Sequence, residues 1–211
     1  MPDYDYQSDT RPFSQVLEDI GSRDDPKLYL GELVNAFGER AFGALMLFFG
    51  LMIIAIGIIP GTTTILGAPL LLMGFQLMIR QDQLWLPRWA LRRSIERETY
   101  RDGLGKVLPR LRQVERLSKP RLSVMTGDVV EVLIGIATVL LAFILILPIW
   151  GGNLVPALII STFGFGLMQR DGVVVLVGWA GVAGVCVFIW LAWELVTRAF
   201  GPVIAWATGL F

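Results

Sequence analysis

The chain has no histidine and a single cysteine, Cys186, in 211 residues. An intrachain disulfide is therefore excluded, as are a histidine-based metal site and a histidine general base. Charge is scarce as well: charged residues make up 17% of the chain against 55% hydrophobic ones, a balance far from that of a soluble globular domain. The 18 acidic and 18 basic residues cancel, but they are segregated along the sequence, so zero net charge carries no information about partners. A Gly-x-Ser-x-Gly motif, a phosphate-binding glycine loop and metal-ligand spacing are also missing. Their absence removes the usual signatures of acyl transfer, nucleotide and metal chemistry. The reading is a protein that is not an enzyme, with no cofactor and no metal.

What the chain does have is long uncharged stretches. Residues 41–79 carry no charge, too many for one membrane crossing, and are broken at Pro60-Gly61-Thr62-Thr63-Thr64. They must form a hairpin whose arms, at about 18 residues and 1.5 Å per residue, are roughly 27 Å long against a hydrocarbon core of about 30 Å. A second hairpin covers 129–168, with its turn at Pro148-Ile149-Trp150-Gly151-Gly152-Asn153 and a further proline, Pro156. Its returning arm of about 16 residues is marginal for a full span, which favours a re-entrant form there. Length leaves both forms open for each hairpin. Residues 173–193 form a final uncharged transmembrane helix, with Trp190, Trp193 and Trp206 at the interface, and 194–211 read as an interfacial tail broken by Pro202.

The two hairpins share a signature: Gly74-Phe75-x-Leu77-Met78-x-Arg80 returns as Gly164-Phe165-x-Leu167-Met168-x-Arg170, 90 positions on. Leu86, Trp89 and Ala90 likewise match Leu176, Trp179 and Ala180. The expected fold is thus an all-α integral membrane protein of two repeated hairpins plus a final helix, resembling the duplicated units of transporter folds.

Around these lie two polar regions. Residues 1–40 hold nine Asp or Glu against four Lys or Arg, the wrong charge for a secretory signal. Disorder is expected before Phe13, a helix capped by Ser14 over 15–20, and another through Leu28, Leu30, Leu33, Val34 and Phe37. The linker 80–128 holds twelve of the eighteen basic residues. The positive-inside rule therefore places it in the cytoplasm, with the N-terminus inside, the C-terminus outside and the two hairpins in one orientation. Leu104, Val107, Leu108, Leu111, Val114 and Leu117 recur at helical spacing, with Arg110, Arg112 and Arg116 on other faces. Such a basic amphipathic helix either lies on the anionic inner leaflet or packs on the protein's own cytoplasmic face or in a dimer contact. Trp85-Leu86-Pro87-Arg88-Trp89 reads as an interfacial anchor, and nucleic-acid binding is not expected.

Pro60-Gly61-Thr62, Leu70 through Gln76, Trp85-Leu86-Pro87-Arg88, Pro120-Arg121-Leu122, Leu147-Pro148, Asn153, Pro156-Ala157 and Arg170-Asp171-Gly172, in that order, resemble the ExoD family of bacterial exopolysaccharide-synthesis membrane proteins. The resemblance covers about residues 14 to 195. Trp150 departs from it, standing where a second proline is usual. The resemblance implies a place in the bacterial inner membrane and a role in making or exporting exopolysaccharide, and it carries no catalytic residues over.

Polar groups in or beside the membrane are the functional candidates, because they are costly there. Gln76 and Arg80, one turn apart, could hold a phosphate or carboxylate, or serve as a helix contact and a snorkelling cation. Thr62 and Thr63 at the first turn and Asn153 at the second either cap helices or line a polar cavity. Arg170 and Asp171 occupy the place equivalent to Arg80, as a helix-end brace or a relay. Two functions follow: a small transporter or flippase of a lipid-linked saccharide or other anionic substrate, or a non-catalytic subunit of a polysaccharide complex. Gly178, Gly181 and Gly184 offer a face for a homodimer.

Overall fold

The computed structural model describes residues 12–57, 61–81, 83–117, 127–147 and 152–207. In chain order it comprises α1 (Phe13–Ser22), β1 (Lys27–Tyr29), α2 (Leu30–Phe37), a 3-10 turn at Gly38–Arg40, α3 (Ala41–Ile56) and α4 (Thr62–Met78). Then follow α5 (Arg88–Leu91), β2 (Ser94–Glu96), α6 (Arg97–Leu117), α7 (Asp128–Ile146), α8 (Leu154–Gln169) and α9 (Gly172–Ala207). Apart from the two short strands, the regular structure is helical. Asp128–Ile146 and Gly172–Arg198 are long and apolar enough to cross a membrane, and α3, α4 and α8 are apolar but shorter.

The apolar helices form one bundle in which α4 lies along α7 and α3 along α8, while α9 packs on α8. Glycine makes both of the main approaches. A Cβ on Gly43 would lie 2.5 Å from the Met168 amide nitrogen and 2.6 Å from the Gly164 carbonyl oxygen. A Cβ on Gly135 would lie 2.6 Å from the Met78 nitrogen and 2.8 Å from the Gly74 oxygen. In each case the obstacle is backbone, so no side-chain rotation could relieve it. Gly74 and Gly164 are 90 positions apart and Gly43 and Gly135 are 92, because the second hairpin has two fewer residues between its glycines.

α4 and α8 also end alike. Arg80 and Arg170 have φ of 55° and 51°, a left-handed conformation that costs a non-glycine residue about 1–2 kcal/mol. The amide of Arg80 donates to Leu77 O at 3.1 Å and that of Gln81 to Gln76 O at 3.0 Å. Arg170 donates to Leu167 O at 3.3 Å and Asp171 to Gly166 O at 2.9 Å. This pair of bonds closes the last carbonyls of each helix.

Met46, Leu70, Met73, Ile134, Leu145, Ile160 and Phe163 fill the interior. The outside of the bundle is apolar too: Phe48, Leu51, Ile65, Leu140, Phe143 and Phe188 are all exposed. Gly178 is covered by the Phe163 ring and Gly181 by Ile159, while Gly184 faces open space. Most of the glycine face expected to pair two copies is therefore used inside one chain, against α8.

At one end of the bundle sits a smaller polar unit. β1 and β2 pair antiparallel, with Leu28 opposite Ile95, and α1 lies on α6. Val16, Ile20 and Leu28 form its core with Tyr100 against them, and Phe37 packs on both this core and that of the bundle. The amphipathic linker helix thus finds a partner in α1.

Two sequence expectations change. Ser14 lies inside α1 rather than at its cap; its amide and hydroxyl donate to the Glu115 carboxylate at 2.8 and 2.6 Å. A carboxylate from α6 supplies the negative charge a helix N-terminus favours, and its distance in sequence hides it from local reading. α9 runs through Pro202 to Ala207, where the proline is expected to break the chain. The expected disorder before Phe13, the turn residues Pro60 and 148–151, and Pro120-Arg121-Leu122 lie outside the described residues.

Candidate functional site

The candidate residues fall at opposite ends of the bundle. At the turn end, the Thr62 hydroxyl donates to Ile56 O at 3.1 Å and closes the first hairpin. Thr63 is buried, with its methyl against Gly57. Thr64 donates to Ile146 O at 3.2 Å, tying this turn to the end of α7. Asn153 immediately precedes α8, and its Oδ1 is buried without a hydrogen-bond partner.

At the other end, Gln76 is 3% exposed and both halves of its amide are engaged. Nε2 donates to Trp85 O at 2.9 Å, and Oε1 accepts from the Trp85 amide at 2.7 Å. The side chain thereby pins the chain leaving the helical bundle to the last turn of α4. Arg80 lies beyond the helix end and is exposed, so the two do not converge on one anion. The counterpart of Gln76, 90 positions on, is Gly166, whose Cβ would meet Val175, the counterpart of Trp85. In the second hairpin the chain turns straight into α9, and no side chain fits between. Asp171 is buried and its Oδ1 accepts from the Val173 amide at 3.0 Å, capping α9. Arg170, beside it, is exposed in its left-handed position.

Inside the bundle, Ser161 donates to Ala157 O at 2.8 Å and its hydroxyl fills the space that a Cβ on Gly50 would need. Thr138, on α7 beside Gly74, is fully buried and its hydroxyl has no partner; Nε2 of Gln169 is buried and unpaired likewise. Periodicity alone could have flagged Thr138, a polar residue at an inward position of an apolar helix.

The residue that sequence reading missed is Arg97. It is 2% exposed, and its guanidinium donates to Asp25 O at 2.6 Å, to Lys27 O at 3.2 Å and to Ile20 O. It also meets the Glu32 carboxylate at 3.2 Å, which Arg23 holds from outside at 2.7 Å. Next to it, burial pushes the Tyr100 hydroxyl up to about 12, with Arg97 pulling the other way; the hydroxyl donates to Leu17 O. Arg101 donates to Gly21 O and Arg23 O. These bonds tie residues 13–37 to the linker and make a structural knot with no free reactive group.

Among the described residues no group of three or more His, Cys, Asp or Glu gathers to hold a metal. What the arrangement provides is closure: caps, turn ties and a clamp on the departing chain.

Residues 13–191 match the family model described as "Exopolysaccharide synthesis, ExoD". An uncharacterized protein of Synechocystis is 29% identical over 164 residues, covering 76% of this chain and 77% of its own length. Protein ExoD of Rhizobium meliloti is 30% identical over 156 residues, or 71% of this chain and 64% of that protein. No solved structure matches the chain. The family match runs from the first residue of α1 into α9, across both hairpins and the polar unit that Arg97 holds together, and the chain belongs to the ExoD family.

Proposed function

We propose that the chain is an integral protein of the bacterial inner membrane that takes part in exopolysaccharide synthesis or export as a non-catalytic assembly subunit. The family supplies the physiological setting. The observation that carries the subunit reading is the close crossing of the hairpins on Gly43, Gly164, Gly74 and Gly135, where backbone meets backbone. The polar candidates beside the crossings are bonded to backbone instead of facing a path: Gln76 to Trp85, Thr64 to Ile146, Asp171 to Val173.

The bilayer placement rests on the exposed apolar outside of the bundle and on its lengths. With 16, 17, 19 and 16 residues, α3, α4, α7 and α8 are about 24–28 Å long at 1.5 Å per residue. If Arg40, Arg80, Asp128 and Arg170 mark the cytoplasmic interface, the turns come within about 2–6 Å of the far edge of a 30 Å core. That favours spanning arms over reentry to the midplane. In this reading the hairpins are two copies of one unit in the same orientation, with the N-terminus inside and the C-terminus outside.

A second reading, a small transporter or flippase for a lipid-linked saccharide, draws on the unpartnered buried atoms of Thr138, Asn153 and Gln169, which a moving polar substrate could use. Single cysteines at Thr64, which is exposed at the first turn, and at Asn153, in a Cys186→Ser background, distinguish the two. The subunit reading expects labelling by an impermeant thiol reagent from the periplasmic side alone. Labelling from the cytoplasmic side in inverted vesicles would overturn it in favour of transport.

A further inference from the structure

We infer that the strap between α4 and β2, Arg80 together with residues 83–93, is the surface that binds anionic phospholipid headgroups, in place of the linker helix α6. This rests on the bilayer placement proposed above. α6 spends its face on α1: Leu104 packs near Gly21, Arg101 bonds the Gly21 and Arg23 carbonyls, and Arg112 pairs with Glu18 at 2.5 Å. Of its described leucine side chains, Leu104, Leu108 and Leu111, none is exposed to be lowered into a leaflet.

The strap is built the other way round. Leu84 is buried in the core of the bundle and Leu86 packs against it. In extended chain their neighbour Trp85 must point to the opposite side, and the Gln76 clamp on its backbone holds it there. Trp85 is 58% exposed. On the following turn Leu91 faces Gly31 of α2, while Trp89 is 69% exposed. Arg80, Arg88, Arg92 and Arg93 are all exposed around them, and Asp82 is the one acidic residue between Arg80 and Ser94. Two outward indoles among four guanidinium groups, at the end of the apolar bundle, match the chemistry of the headgroup layer: rings favour the interface, and Arg forks bind phosphate in pairs. The shared position of the strap and the bundle end puts both at one depth.

The test is thermal unfolding of the full-length protein in neutral detergent with added phosphatidylglycerol, phosphatidylcholine or inorganic phosphate. Phosphatidylglycerol is expected to raise the melting temperature by several degrees, with little response to the other two. The triple exchange R88Q/R92Q/R93Q, confined to exposed side chains, should abolish most of that shift, W85A/W89A should reduce it, and R110Q/R116Q on α6 should leave it intact. An equal response to phosphatidylcholine, a response to phosphate alone, or loss of the shift in the α6 variant with the strap variant unaffected would overturn the inference. Urea extraction of native membranes separates this from the bilayer reading, which fails if the wild-type protein itself is released.

Discussion

The bundle and the polar unit at its end are held together by opposite means. Where α3 crosses α8 and α4 crosses α7, the decisive residues, Gly43, Gly164, Gly74 and Gly135, have no side chain at all. Where α1, β1 and α6 meet, the decisive residue is Arg97, with the longest cationic side chain buried to 2% exposure and bonded to three carbonyls and a carboxylate. On the bilayer placement proposed above, the difference follows from solvent. Without a hydrophobic force between helices in lipid, close backbone packing carries association. In water, a small unit with the modest core of Val16, Ile20 and Leu28 needs hydrogen bonds to fix its chain ends.

The comparison breaks hardest at the crossings. Gly164→Leu should separate α3 from α8 and destabilise the bundle by about 3 kcal/mol or more, since its obstacles are the Leu47 nitrogen and the Gly43 oxygen. Gly184→Leu, which meets nothing, should fall within about 0.5 kcal/mol of wild type. Thermal unfolding of both in the same detergent checks the contrast; equal losses would deny the crossings their role.

Arg97→Met should cost the polar unit about 3–5 kcal/mol by stranding carbonyls and Glu32. Limited proteolysis should then cut α6 and the N-terminal segment while the bundle stays whole. Simultaneous loss of both would show one cooperative unit instead of two.

Gln76→Leu joins the two regions in one test. It leaves the Trp85 amide and carbonyl without their partner, at about 2 kcal/mol, and should free the strap without opening the crossings. Faster cleavage between Arg80 and Arg88 with an unchanged bundle is the expected outcome.

The smallest effect is a pH dependence confined to the polar unit. Because the Tyr100 hydroxyl rises from 10.0 to about 12 in the folded chain, its contribution is complete below pH 10.0 and is lost as pH climbs towards about 12. Absorbance of tyrosinate should show one late-titrating tyrosine that Tyr100→Phe removes, with the bundle indifferent throughout.

The same contrast explains what could be read in the sequence. The apolar helices were legible because a run without charge is a strong local signal, and the signature ending in Arg80 and Arg170 marked the second arms. The matching glycines of the first arms were not, since Gly43 and Gly135 are 92 positions apart while the visible match runs at 90. Gln76 stands out in the sequence as a polar group in an apolar helix, but its partner, the Trp85 backbone, has no sequence signature. Arg97 has no such mark, because nothing local distinguishes which of the linker's twelve basic residues is buried against a segment some 70 positions earlier.

The most direct test of a dry, structural bundle is Thr138→Val, a near-isosteric change that removes the unpartnered hydroxyl at the centre of the α4–α7 crossing. With this variant as the sole copy in the cell, the account predicts exopolysaccharide output equal to wild type and a melting temperature equal or higher. Loss of output from a protein that still accumulates and unfolds as wild type would show that the hydroxyl serves a path, and would contradict the account.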